Sequence, residues 1–146
     1  IVFILGAGGV ALSIILALKR LGVKKIFLSN RTEKEATILK KNFSELEIIK
    51  WGKNPKSDLI INATSLGLNK NDVIKLDYEA FGTGKLFYDV IYNPVKTNFL
   101  KRAEKTENKT ENGKMMFIYQ AQLAFNIWTN IMPKIDSDVI KLLNDD

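Results

Sequence analysis

The chain contains no cysteine and no histidine. Disulfides, thiolate metal sites, imidazole ligands and imidazole general bases are therefore excluded. Hydrolases of the Ser-His-Asp kind and zinc peptidases go with them. Arginine is scarce, with 3 residues against 19 lysines, and proline is limited to 3. No apolar run approaches the roughly 20 residues that a membrane-crossing helix needs. What remains is an ordinary globular composition: 146 residues, 46% hydrophobic and 26% charged, enough for one core and too apolar for general disorder. The net charge of +6 rests on scattered lysines, such as Lys24, Lys25, Lys40, Lys41, Lys50, Lys53 and Lys56, beside 13 asparagines. That is a compositional bias rather than the gathered basic stripe of a nucleic-acid binder. We expect neither nucleic acid nor membrane as a partner, no metal, and a cytoplasmic location. The chain opens at Ile1, inside an apolar run, which leads us to expect a fragment preceded by further sequence.

Short apolar runs alternate with helical patterns. Strands are predicted over residues 1–5, 25–29, 47–49, 58–62 and 86–91, and helices over 11–21, 33–43, 97–105 and 115–131, with a short one from Ser137. Thr32 and Thr97 stand where helix N-caps belong. Residues 104–112 carry no apolar side chain and read as a mobile surface loop. The alternation predicts an α/β fold: a doubly wound, mainly parallel sheet, Rossmann-like in plan. We expect residues 1–132 to form that domain, including a long return helix, and 133–146 to add its C-terminal helix.

Gly6, Ala7, Gly8, Gly9 and Val10 lie between the first strand and the first helix. A diphosphate needs backbone amides aimed at it and no side chains in the way, and the helix N-terminus adds its partial positive charge. The spacing after a buried strand favours dinucleotide binding over a purely structural turn. At the end of the second strand an NAD site usually has a carboxylate for the ribose hydroxyls. Here Asn30, Arg31 and Thr32 stand instead, and a guanidinium suits a 2′-phosphate that an acid would repel. The expected cofactor is NADP.

These residues carry a resemblance. Gly-Ala-Gly-Gly at 6–9 with Asn30, Arg31 and Thr32 resembles the nucleotide domain of shikimate dehydrogenases, and also that of glutamyl-tRNA reductases. Three further segments favour the former. They are Asn62-Ala63-Thr64-Ser65-Leu66-Gly67, then Asp89-Val90-Ile91-Tyr92-Asn93-Pro94 with Thr97 and Leu100, and last Gly113 to Gln120 with Ala121, Ala124, Phe125 and Trp128 after it. The resemblance implies that Gly6 to Val10 hold the diphosphate, and that Asn30, Arg31 and Thr32 hold the 2′-phosphate, with Lys34 beside them. It places Thr64, Ser65, Val90 and Gly113 along the nicotinamide side, and Tyr92 and Gln120 at the substrate. Gln120 is expected to be buried in an apolar helix and so to need a polar partner.

The implied reaction is NADPH-dependent, reversible reduction of 3-dehydroshikimate to shikimate, in aromatic amino acid biosynthesis. In the family a Lys/Asp pair of an N-terminal substrate domain handles the proton, so no catalytic residue is assigned in this chain. The expected partners are the substrate and that N-terminal domain, with a homodimer left open, and the chain alone is expected to be inactive. A non-catalytic NADP-binding module is the alternative. Three departures stand out: Glu35 occupies a position that is often basic in the family, Lys114 replaces a small or apolar residue, and the strand before Gly113 has no apolar residues to announce it.

Overall fold

A computed structural model describes residues 1–142. In chain order it contains β1 (Val2–Leu5), α1 (Gly9–Arg20), β2 (Ile26–Ser29), α2 (Glu33–Asn42), β3 (Leu46–Ile48) and β4 (Leu59–Asn62). A 3-10 turn at Glu79–Phe81 precedes β5 (Leu86–Asp89), α3 (Asn98–Lys105), β6 (Lys109–Glu111), α4 (Lys114–Thr129) and α5 (Ser137–Lys141). The strands form one sheet in the order β3-β2-β1-β4-β5-β6, and every pairing is parallel.

Strand side chains alternate between faces, and the sequence loads both faces with apolar residues. On one face Val2, Ile4, Ile26, Leu28 and Ile61 pack against Ala11, Ile15 and Leu18 of α1 and Ala36 and Leu39 of α2. On the other, Phe3, Leu5, Ile60 and Phe87 pack with Tyr78, Phe81, and Phe99 and Leu100 of α3. Helices on both faces of a parallel sheet make the fold doubly wound. Between β1 and β4 the chain order changes direction, and such a switch point opens a crevice at the carboxyl ends of the strands.

Several local expectations are corrected. Lys109–Glu111, expected within a mobile loop, is an edge strand paired with β5 through Leu86↔Lys109 and Tyr88↔Glu111. Its side chains are mostly exposed, so an apolar pattern was never required of it. Thr97 caps α3, its side chain accepting from the Leu100 amide. Thr32 occupies the N-cap position of α2, but its side chain makes no capping bond there. The acids Glu33 and Glu35 instead complement the helix dipole in the first turn. Within the helix expected from Ser137, α5 ends at Lys141, and residues 143–146 lie outside the described residues. Among the described residues no helix is long and apolar enough to cross a membrane.

Candidate functional site

The crevice is built first from glycine. Gly6 ends β1 with φ of +104°, a conformation other residues rarely adopt, and a Cβ there would lie 2.7 Å from the Ala63 carbonyl oxygen. The turn after β1 therefore closes directly onto the turn after β4. Gly8 and Gly9 differ, because a Cβ on either meets nothing within 4 Å. Nothing in the protein itself fills the space these two glycines leave at the start of α1. No side chain caps that helix at Gly8, and no acid lies in its first turn. The first turn presents amides and a positive dipole end to an open space, the cradle a diphosphate requires.

Asn30 ties this turn to the next. Its Oδ1 accepts from the Ala7 amide at 3.1 Å, while its Nδ2 donates to the Thr32 carbonyl at 2.8 Å and to Glu35 Oε2 at 2.7 Å. Gly6, Ala7, Gly8, Asn30, Arg31, Glu35 and Trp51 line one hollow, and Ala63, Thr64, Ser65 and Leu66 close it from the β4 side. A second hollow adjoins it, sharing Asn30, Arg31 and Trp51 and extending to Ile48 and Ile49. Arg31 is exposed and Trp51 half-buried.

The β4 turn is held from beneath. Asn62 is fully buried; its Oδ1 accepts from the Thr64 amide at 3.0 Å and the Thr64 hydroxyl at 2.6 Å, and its Nδ2 donates to the Leu66 carbonyl and to Asp89 Oδ1 at 3.0 Å. Asp89 also accepts from the Ile91 amide at 3.1 Å and from the Thr97 hydroxyl at 2.6 Å. Burial pushes the Asp89 carboxyl above its ordinary value, with the Thr97 and Ile91 hydrogen bonds pulling the other way. Asn62, Asp89 and Thr97 therefore fix the ends of β4, β5 and α3 to one another.

The structure thus brings Gly6, Ala7, Gly8, Asn30, Arg31, Thr64 and Ser65 around one hollow. Gly9 begins α1, Val10 packs partly against the core, and Thr32 and Lys34 are exposed beside the hollow rather than lining it. Val90 and Gly113 meet: a Cβ on Gly113 would fall 1.9 Å from the Val90 carbonyl oxygen, so only glycine permits this approach. Tyr92 is half-buried and stacks on Phe117, with ring centroids 4.4 Å apart. Gln120, three residues beyond Phe117, lies on the same side of α4. The expectation that it is buried is corrected: Gln120 is exposed, whereas Gln122 is half-buried and donates to the Pro133 carbonyl at 2.8 Å. Two residues along a helix are about 200° apart around its axis, which puts them on opposite sides.

Sequence reasoning missed Trp51 and the placement of Glu35 in the hollow. Trp51 follows Lys50 in a polar stretch after β3, and a lone aromatic at a strand's carboxyl end was the available signal.

No family model matches the chain. A protein of Pelagibacter ubique (strain HTCC1062), named shikimate dehydrogenase (NADP(+)), is 60% identical over 141 residues, covering 97% of this chain and 53% of that protein. Further sequence relatives, 33–42% identical, are likewise named shikimate dehydrogenase (NADP(+)). The crystal structure of shikimate dehydrogenase from Aquifex aeolicus superposes with a TM-score of 0.82 at 31% identity, over 99% of this chain and 53% of that one. The shikimate dehydrogenase of Thermus thermophilus, in complex with NADP(H) and shikimate, gives 0.81 at 30% identity, over 97% of this chain and 53% of that one. The chain spans about half the length of the shikimate dehydrogenases it matches, and that half has the doubly wound fold described above.

Proposed function

We propose that this chain is the NADP-binding half of a shikimate dehydrogenase, which reversibly reduces 3-dehydroshikimate to shikimate. The observation that carries the reading is the open, uncapped first turn of α1 sharing one hollow with Arg31. The 60% identical relative named as NADP(+)-dependent supports it.

The residues present fit the cofactor. Amides at Gly8, Gly9 and Val10 suit the diphosphate, and Ala7 is held in place by Asn30. Arg31 offers a planar fork of donors to a 2′-phosphate, with Thr32 and Lys34 exposed alongside. Thr64 and Ser65 bound the opposite wall, and the close approach of Gly113 to Val90 shapes the nicotinamide end. NADPH, when bound, supplies the hydride. Tyr92 and the exposed amide of Gln120, on one side of α4, offer a hydroxyl, a donor and an acceptor to a hydroxylated ring. We assign the acid–base step to no residue of this chain and place it in the half of the relatives that this chain does not match.

Kinetics of the intact protein with both substrates test this reading. Arg31→Ala is expected to raise the KM for NADPH roughly tenfold or more, because a charge-assisted phosphate contact is lost, and to leave that for NADH nearly unchanged. Gln120→Ala is expected to raise the KM for shikimate and spare that for NADP. Equal use of NADPH and NADH by the wild type overturns the cofactor assignment. Unchanged shikimate kinetics in Gln120→Ala and Tyr92→Phe overturn the substrate contacts.

A further inference from the structure

Glu35 lines the same hollow as Arg31, and its carboxylate is bound at the first turn of α2. It accepts there from Asn30 Nδ2 at 2.7 Å, which completes the link from the Ala7 amide through Asn30 to α2. The two roles have opposite consequences for a nucleotide. A fixed Asn30 holds the glycine turn in shape, which favours any dinucleotide because less ordering remains to be done on binding. A negative charge beside Arg31 repels a 2′-phosphate, which itself carries between one and two negative charges at neutral pH.

We propose that Glu35 is a specificity-determining residue of the adenosine end: it braces Asn30, and its charge holds the preference for a 2′-phosphate below what Arg31 alone would give. The proposal rests on the nucleotide reading above. The first turn of α2, with its positive dipole end, favours a carboxylate at this position in the free protein. The repulsion arises only when the ligand carries the extra phosphate. A nucleotide with a free ribose hydroxyl meets an acceptor there instead of a like charge. Both side chains are exposed, so screening limits the effect to about three- to tenfold in affinity.

Calorimetric titration of the intact protein with 2′,5′-ADP and with 5′-ADP separates the two roles. Glu35→Gln keeps an acceptor for Asn30 and removes the charge; Glu35→Ala removes both. Glu35→Gln is expected to tighten 2′,5′-ADP about three- to tenfold and leave 5′-ADP unchanged, with the gain shrinking as salt is raised. Glu35→Ala is expected to bind 5′-ADP more weakly than Glu35→Gln does. A Gln variant that shifts both ligands equally, or neither, overturns the electrostatic role. An Ala variant matching Gln on 5′-ADP overturns the bracing role. If Arg31→Ala abolishes the wild type's preference while Glu35→Gln leaves it unmoved, the nucleotide reading stands and this inference fails. If the wild type shows no preference and Arg31→Ala changes nothing, both fail.

Discussion

At the scale of single residues, Gly8 and Gly113 differ in what a side chain would meet. At Gly113 it is the protein's own backbone, the Val90 carbonyl lying where a Cβ would have to go. Gly113→Ala must push α4 away from the end of β5, and we expect it to cost about 1–3 kcal/mol or more. At Gly8 the φ of −76° suits any residue, and the space beyond is open. Gly8→Ala is therefore expected to change stability by no more than about 1 kcal/mol, the loss of a favourable N-cap residue. On the proposed function it should nonetheless weaken nucleotide binding at least tenfold, because the methyl would stand where the diphosphate is proposed to bind. Thermal unfolding and nucleotide titration on both variants check the contrast. Equal stability losses at the two sites would contradict it.

At the scale of elements, the junction of β4, β5 and α3 hangs on Asp89. Burial raises its pKa above the unfolded value of about 3.9, so between those two values the folded state holds a proton that the unfolded state has released. Its contribution to stability is thus greatest below the unfolded pKa and declines as pH rises through the folded one. Glu45 and Glu104, held down chiefly by their hydrogen bonds from Lys19 and Lys96, act in the opposite sense. The difference between wild type and Asp89→Asn isolates the buried group. The variant, with one acceptor fewer, is expected to be about 1–3 kcal/mol less stable, and the gap should narrow as pH rises from about 4. Denaturant unfolding across that range measures it; a gap that widens toward neutral pH refutes the account.

Elements with an apolar signature were legible in the sequence. Residues 1–5, 25–29 and 58–62 announce buried parallel strands, and each forms one to within a residue. β6 was not legible, since Lys109, Thr110 and Glu111 give an edge strand no apolar alternation to read. That Gly6, Ala7 and Gly8 would meet Asn30 and Arg31 around one hollow was legible, because each group directly follows a strand of the sheet, whereas Thr32 lies beside it. The contribution of Trp51 was not, because only folding brings residue 51 beside residue 31. The burial of Gln122 in place of Gln120 was also hidden, since α4 is apolar on nearly every side and has no periodicity to orient it.

At the scale of the whole molecule, that helix is the anomaly. Ile118 is its one fully buried residue, whereas Ile127 and Trp128 are each 80% exposed and Leu123, Ile131 and Met132 are exposed beside them. Soluble monomers rarely leave so continuous an apolar strip open. Produced as it stands, the 146-residue chain is expected to self-associate and to bind a hydrophobic dye. The double change Ile127→Lys and Trp128→Lys should reduce both effects without altering nucleotide affinity. Sedimentation velocity and dye fluorescence provide the readouts, and a monomeric, dye-negative parent chain would refute the expectation.

The strand order has a consequence for what the crevice can become. Its two lips end the adjacent strands β1 and β4, joined in register at Leu5↔Asn62. The backbones of these two strands lie one inter-strand spacing apart, about 4.8 Å, and hydrogen bonding rather than loop length sets it. Insertions in the loops around β3 or β6, at the two edges of the sheet, leave that spacing untouched. The floor of the crevice is in this sense fixed by the sheet. On the proposed reading, the side chains mounted along it, Arg31, Glu35, Trp51 and Ser65 among them, are what can drift and retune which nucleotide is taken.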